Sequence, residues 1–132
     1  MKKLIFFMAL LVALFFVGLQ SSMIADKTLD WVKQNPQSPY AAEALYRAAR
    51  WCDFLSDDDK AVGMYLELYQ RYPERADLCA PGLYHLADII VSSGVAKLRA
   101  KPYLEIVMNQ YASVEEWSMK AKQLYDQLDY AH

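Results

Sequence analysis

Glycine, proline and cysteine are scarce in this 132-residue chain, at four, five and two. So few turn formers exclude a multi-stranded sheet closed by many tight turns. Two cysteines exclude a small domain built on disulfides. Basic residues do not outnumber acidic ones, 14 against 16, which argues against the clustered positive face a nucleic-acid binder needs to replace phosphate counterions. The motifs of common chemistries are missing as well: there is no glycine-rich phosphate loop, no His-Glu-x-x-His and no Cys-x-x-Cys. What remains is 55% hydrophobic and 14% aromatic, too apolar for a disordered chain and the right length for one domain.

The apolar residues are unevenly spread. After Met1-Lys2-Lys3 comes an unbroken run of 16, Leu4 to Leu19, then Gln20-Ser21-Ser22 and, at position 26, the first acid. A basic start, an apolar stretch and small residues beyond it read as a secretory signal. As a helix the run reaches about 24 Å, short of the roughly 30 Å hydrocarbon core. Length therefore favours a cleaved signal peptide. The cleavage site favours the competing reading, an uncleaved anchor: cutting after Ala25 puts Met23 three residues before the cut, and cutting after Ser22 puts Gln20 there, where a small residue is preferred. In both readings Lys2 and Lys3 keep the start in the cytoplasm and residues 26–132 are exported, to a periplasmic or other extracytoplasmic space. That part carries 12 bases and all 16 acids, 12 − 16 = −4, so membrane contact is expected only through residues 1–25, if they are retained.

Residues 26–132 read as helices. Ala41, Leu45, Ala48, Ala49 and Cys52 recur at helical spacing, then Ala61, Met64, Tyr65, Leu68 and Tyr72, with Pro73 as a stop. Ser56 and Asp57–Asp59 supply an N-cap and an acidic first turn. A third stripe is Leu83, Leu86, Ala87 and Ile90, ended by Gly94. A fourth is Ala100, Leu104, Val107 and Tyr111. A fifth, Trp117, Ala121, Leu124 and Leu128, follows the capping-box sequence Ser113-Val114-Glu115-Glu116. Asp26 to Asn35, with Leu29 and Val32 inward, reads as a leading cap helix, possible to continue from the leader. Placing Leu45-Tyr46 on Leu83-Tyr84, an offset of 38 residues, also places Ala49 on Ala87 and Tyr65-Leu66-Glu67 on Tyr103-Leu104-Glu105. A period of this size signals a helical array whose stripes are buried only by stacking.

With those residues in register, 42–75 resembles a tetratricopeptide repeat (TPR), whose pattern over about 34 residues is met by Leu45, Ala49, Ala61, Tyr65 and Pro73. A second, degenerate unit covers about 80–112, with one residue inserted before Ala100 and Leu104 and with Ala112 in place of the closing proline. The stretch 35–46 is similar to short bacterial periplasmic repeat proteins of the Tol–Pal and outer-membrane barrel-assembly kind, without the lipoprotein cysteine that the latter carry. The resemblance implies an all-α fold: an antiparallel TPR-like array of about two repeats plus capping helices, residues 26–132, after a signal or anchor helix, residues 1–25. It implies a non-catalytic module that holds a partner peptide or helix in a concave groove, with envelope or membrane-complex proteins as the expected partners. Carried over position by position, the groove is Glu43, Tyr46, Arg50, Asp53 and Phe54 from the first unit and Tyr84, Asp88 and Val91 from the second. The alternative is a membrane-anchored accessory subunit of a larger envelope complex.

No enzymatic activity, cofactor or metal is expected. His85 takes the off-stripe position of Arg47 and reads as a surface residue, and the other histidine is His132. Cys52 reads as a small core residue. Cys79, near a helix start, is the exposed one, open to pairing with another chain. A Cys52–Cys79 bridge is disfavoured, because eleven positions along stacked helices separate them by about 16 Å. Asp57–Asp59 complement a helix dipole without any cation.

Overall fold

In the computed structural model the backbone is described for residues 1–130, and side chains for all of these but 17–22 and 130. The chain is all-α. The elements are α1 (Lys2–Gln34), α2 (Ala41–Phe54), α3 (Asp58–Arg71), α4 (Ala76–Ser93), a 3-10 turn (Lys97–Ala100), α5 (Lys101–Gln110) and α6 (Glu115–Tyr130), with no strand among the described residues.

The stripes explain which faces are buried. Ala41, Leu45, Ala48, Ala49 and Cys52 are buried on α2; Ala61, Met64, Tyr65 and Leu68 on α3; Leu83, Leu86 and Ala87 on α4. Ala100, Leu104, Val107 and Tyr111 are buried around α5, and Ala121, Leu124 and Leu128 on α6. Tyr72, Ile90 and Trp117, expected inward, are half-buried at the rim of this core. The helix ends have local causes. Asp57 precedes α3, with Asp58 and Asp59 in its first turn, where carboxylates meet unpaired amides. Pro73 bars helical geometry at Tyr72, which leaves the helix at φ −131 and ψ 54. Gly94 ends α4 at φ 74, the left-handed conformation glycine adopts without cost.

The unit boundary expected near residue 80 falls inside α4, which begins at Ala76 and carries Pro81 within it. Pro81 has no amide hydrogen for the carbonyl one turn back, so α4 forgoes one backbone hydrogen bond inside the helix. Its neighbour Gly82 faces α3: a Cβ there would just touch Leu68 Cδ2 and Tyr65 Cδ1, both at 3.4 Å, so the site has room for a methyl group and for little more. The early start also corrects the reading of Cys79. It lies on the inner face of the first turn, 1% exposed, with Sγ 3.2 Å from the Tyr72 carbonyl oxygen. Burial pushes its thiol up to about 11. Cys52 is buried as expected, and the two are not bridged to each other.

Each helix packs against the next, and alternate helices also touch: α1 with α3, α2 with α4, and α4 with α6. The result is two layers, α1–α3–α5 and α2–α4–α6. One polar bond recurs along the first layer. The Tyr72 hydroxyl, just past α3, donates to the Pro36 carbonyl just past α1, at 2.9 Å. The Tyr111 hydroxyl, just past α5, donates to the Pro73 carbonyl just past α3, at 2.6 Å. Both bonds tie the end of one helix to the end of the helix two before it, so the array is repeat-like in its polar ties as well as in its stripes.

The leading cap and the apolar run form one helix. Ala25 and Val32 are buried, Ile24 and Leu29 pack against the core, and Lys60 Nζ on α3 lies 2.9 Å from Asp26 Oδ1. By contrast Leu4 to Phe16 present large apolar side chains to solvent on every side. Among the described residues no helix is long and apolar enough to cross a membrane. The run Leu4–Leu19, read as a signal peptide or an uncleaved anchor, enters residues 17–22, whose side chains lie outside the described set, as does His132.

Candidate functional site

Tyr46, Arg50 and Asp53 sit at positions i, i+4 and i+7 of α2, and Tyr84, Asp88 and Val91 at the same spacing on α4. Each set therefore forms a single stripe. The contact of α2 with α4 sets the stripes side by side, and α6 adds Trp117 and Lys120 at the flank. On α2, Arg50 Nη1 is 3.3 Å from Asp53 Oδ2, and the buried Tyr65 hydroxyl of α3 donates to that same oxygen at 3.2 Å. Asp53 is thus fixed from two directions.

Tyr46 and Tyr84 do not meet as a stacked pair. The rings of Tyr65, His85 and Trp117 link them. Tyr46 lies 6.4 Å from Tyr65, Tyr65 lies 6.1 Å from His85, and His85 lies 5.2 Å from Trp117, centroid to centroid. Tyr84 closes the set, 5.4 Å from Trp117 and 5.9 Å from His85. Tilted and edge-on geometries predominate, as the ring quadrupoles favour. Lys120 Nζ stands 4.3 Å over the Trp117 ring, a cation–π contact.

His85 is the main departure from expectation. It is half-buried in this row, not a surface residue, because Tyr65 from below and Trp117 from the flank cover its ring. Burial pushes it down to about 4, with the Arg50 and Lys120 charges acting in the same direction, so it is neutral at pH 7 and packs as an aromatic. Burial also raises Tyr46 and Tyr84 above the ordinary phenol range, and Arg50 partly offsets this at Tyr46. Asp88 is raised by burial and then by the Asp53 carboxylate on the adjacent α2.

The other expected groove residues lie apart from the row. Glu43 is half-buried one turn before Tyr46 and adds to the field on Arg75. Phe54 is exposed at the end of α2 and stacks on Trp51 at 5.9 Å. Val91 packs against the core near the end of α4. Tyr65, His85, Trp117 and Lys120 belong to the site without having been expected there. Tyr65 and Trp117 were recognisable only as core, and nothing in their spacing marks the rim at which the core meets this face. No group of three His, Cys, Asp or Glu side chains that would hold a metal occurs among the described residues. The surface offers rings with polar tips, the Arg50–Asp53 ion pair and a neutral imidazole, a combination suited to contact with another chain.

Comparison of the chain with protein-family models, with curated proteins and with solved structures finds no match.

Proposed function

We propose that the chain is a non-catalytic, extracytoplasmic protein–protein interaction module of TPR-like construction, which holds a partner peptide or helix on the α2–α4–α6 face. The observation that carries this reading is the aromatic row Tyr46–Tyr65–His85–Trp117–Tyr84, half-buried except at the fully covered Tyr65 and edged by Arg50, Asp53, Asp88 and Lys120. Rigid aromatic bodies with polar tips bury contact area at little entropy cost, and a preformed row loses little freedom on binding. The TPR-like construction is supported by the 38-residue offset, the alternate helix contacts and the recurring tyrosine–proline carbonyl bond. Pull-down from gently solubilised native membranes, read by mass spectrometry, tests it. A partner retained by the natural chain should be lost by Tyr46→Ala with Tyr84→Ala, and unchanged capture by that folded variant overturns the groove assignment.

Two observations favour a second reading, an envelope-complex subunit held at the membrane by an uncleaved leader. Cutting after Ala25 would remove Ile24 and Ala25 from the packed core, and cutting at either candidate site would divide a single helix. The bare apolar surface of Leu4 to Phe16 has no partner among the described residues, and a bilayer would supply one. Intact mass of the native protein separates the cases. A full-length mass supports the anchor, and loss of residues 1–22 or 1–25 eliminates it.

A further inference from the structure

The direction of α1 specifies which end of the domain would meet a bilayer. Trp31 of α1 and Ala44 of α2 line one hollow, which fixes the register of this antiparallel pair. Ten residues, about 15 Å, further along α2 is its end at Phe54, and ten residues back from Trp31 along α1 is position 21. Phe54 is therefore level with the end of the apolar run, within about one helical turn of Leu19. The ion pair between Asp26 and Lys60 places the start of α3 at the same end.

The end of α4 lies there too. A cleft of about 730 Å³ is lined by Asp58, Asp59 and Val62 from the start of α3 and by Ile89, Ile90 and Ser93 from the end of α4. Beyond it the segment 94–100 carries Val95 and Leu98, 76% and 51% exposed. At the end of α2, Phe54 is 78% exposed and stacks on Trp51. Exposed aromatic and aliphatic side chains thus gather at the end from which the leader emerges.

We propose that this end of the domain, Trp51 and Phe54 with Val95 and Leu98, rests in the interfacial zone of the bilayer that the leader enters. The inference depends on the anchored reading above. Tryptophan and other amphipathic aromatics settle at the headgroup level. The helix from the run into the core is continuous, so no linker lets the domain stand off. Charge does not supply the attraction, since Asp58 and Asp59 oppose Lys97 and Arg99 at the same end. The contact should accordingly vary little with the fraction of anionic lipid.

The test uses the full chain in phosphatidylethanolamine–phosphatidylglycerol vesicles doped with lipid brominated near the glycerol end. W31F/W117F leaves Trp51 as the reporter, and W51F/W117F leaves Trp31, about 10 Å or more farther from the run. Trp51 fluorescence should be quenched about twofold or more beyond that of Trp31. Equal quenching in the inserted protein overturns the interfacial contact and leaves the anchor standing. Failure of the full chain to insert overturns both. The unmodified chain gives a second reading free of variant effects: a diazirine lipid in the same vesicles should label 51–57 and 94–99 and spare the opposite loops 36–40 and 112–114. Uniform labelling contradicts the proposal.

Discussion

Acidification should loosen the fold through His85. In the folded chain its imidazole is pushed down to about 4 by burial among Tyr65, Tyr84 and Trp117, with Arg50 and Lys120 adding to the effect. In the unfolded chain it titrates near 6.5. As the pH falls the unfolded state takes up the proton first. The stability is therefore intact above the unfolded value and is lost between about 6.5 and 4. A difference of this size corresponds to about 3 kcal/mol at most, and water at the exposed edge of the ring reduces it to about 1–2 kcal/mol. The perturbation is a shift from about pH 7.5 to 4.5, read by urea denaturation of the natural chain and of His85→Phe, which keeps a ring and removes the titration. Asp88, raised in the fold, works in the opposite sense, and it is common to both proteins. The natural chain should lose about 1–2 kcal/mol more than the variant over this range. Equal losses would refute the burial argument, as would an imidazole NMR titration centred near 6.5.

Other perturbations probe the packing. Leu45→Ala and Leu83→Ala remove fully buried side chains from the two alanine-lined seams and should each cost about 2–5 kcal/mol in denaturant unfolding. Gly82→Ala should stay within about 1 kcal/mol of the natural chain, since its Cβ meets Leu68 and Tyr65 at 3.4 Å, whereas Gly82→Leu should lose about 1–3 kcal/mol or more. Tyr72→Phe and Tyr111→Phe each delete the bond to a proline carbonyl, and each should cost about 1 kcal/mol; a large disparity between them would weaken their equivalence. At mildly alkaline pH, Cys79 should resist alkylation in the folded chain, being buried and raised to about 11, and should react on unfolding.

Helices were legible because apolar residues at 3.6-residue spacing, broken by Pro73 and Gly94, leave few other solutions. Every residue of the α2 stripe is buried. The 38-residue offset also sets Cys79 on Ala41, which is itself inaccessible, so the burial of Cys79 was contained in it; proximity to an assumed helix start outweighed it. Proline at 81 disguised the start of α4, because the residue usually marks a first turn and here stands inside the helix. His85 was illegible for a different reason. Its own helix leaves it off the stripe, and only Trp117 of α6 and Tyr65 of α3 enclose it. Enclosure by two other elements has no trace in local spacing. The same applies to the row as a whole: Tyr46, Arg50, Tyr84 and Asp88 could be named from repeat positions, but the rings between them come from outside those positions.

The claim that the α2–α4–α6 face receives a partner is tested most directly by photocrosslinking in the living host. Benzoylphenylalanine replaces Tyr46 or Tyr84 on that face, or Gln70 or Tyr103 on the opposite layer. The account predicts one discrete adduct from both groove positions and none from the other two. Adducts of equal yield from all four, or only from the opposite layer, would contradict it.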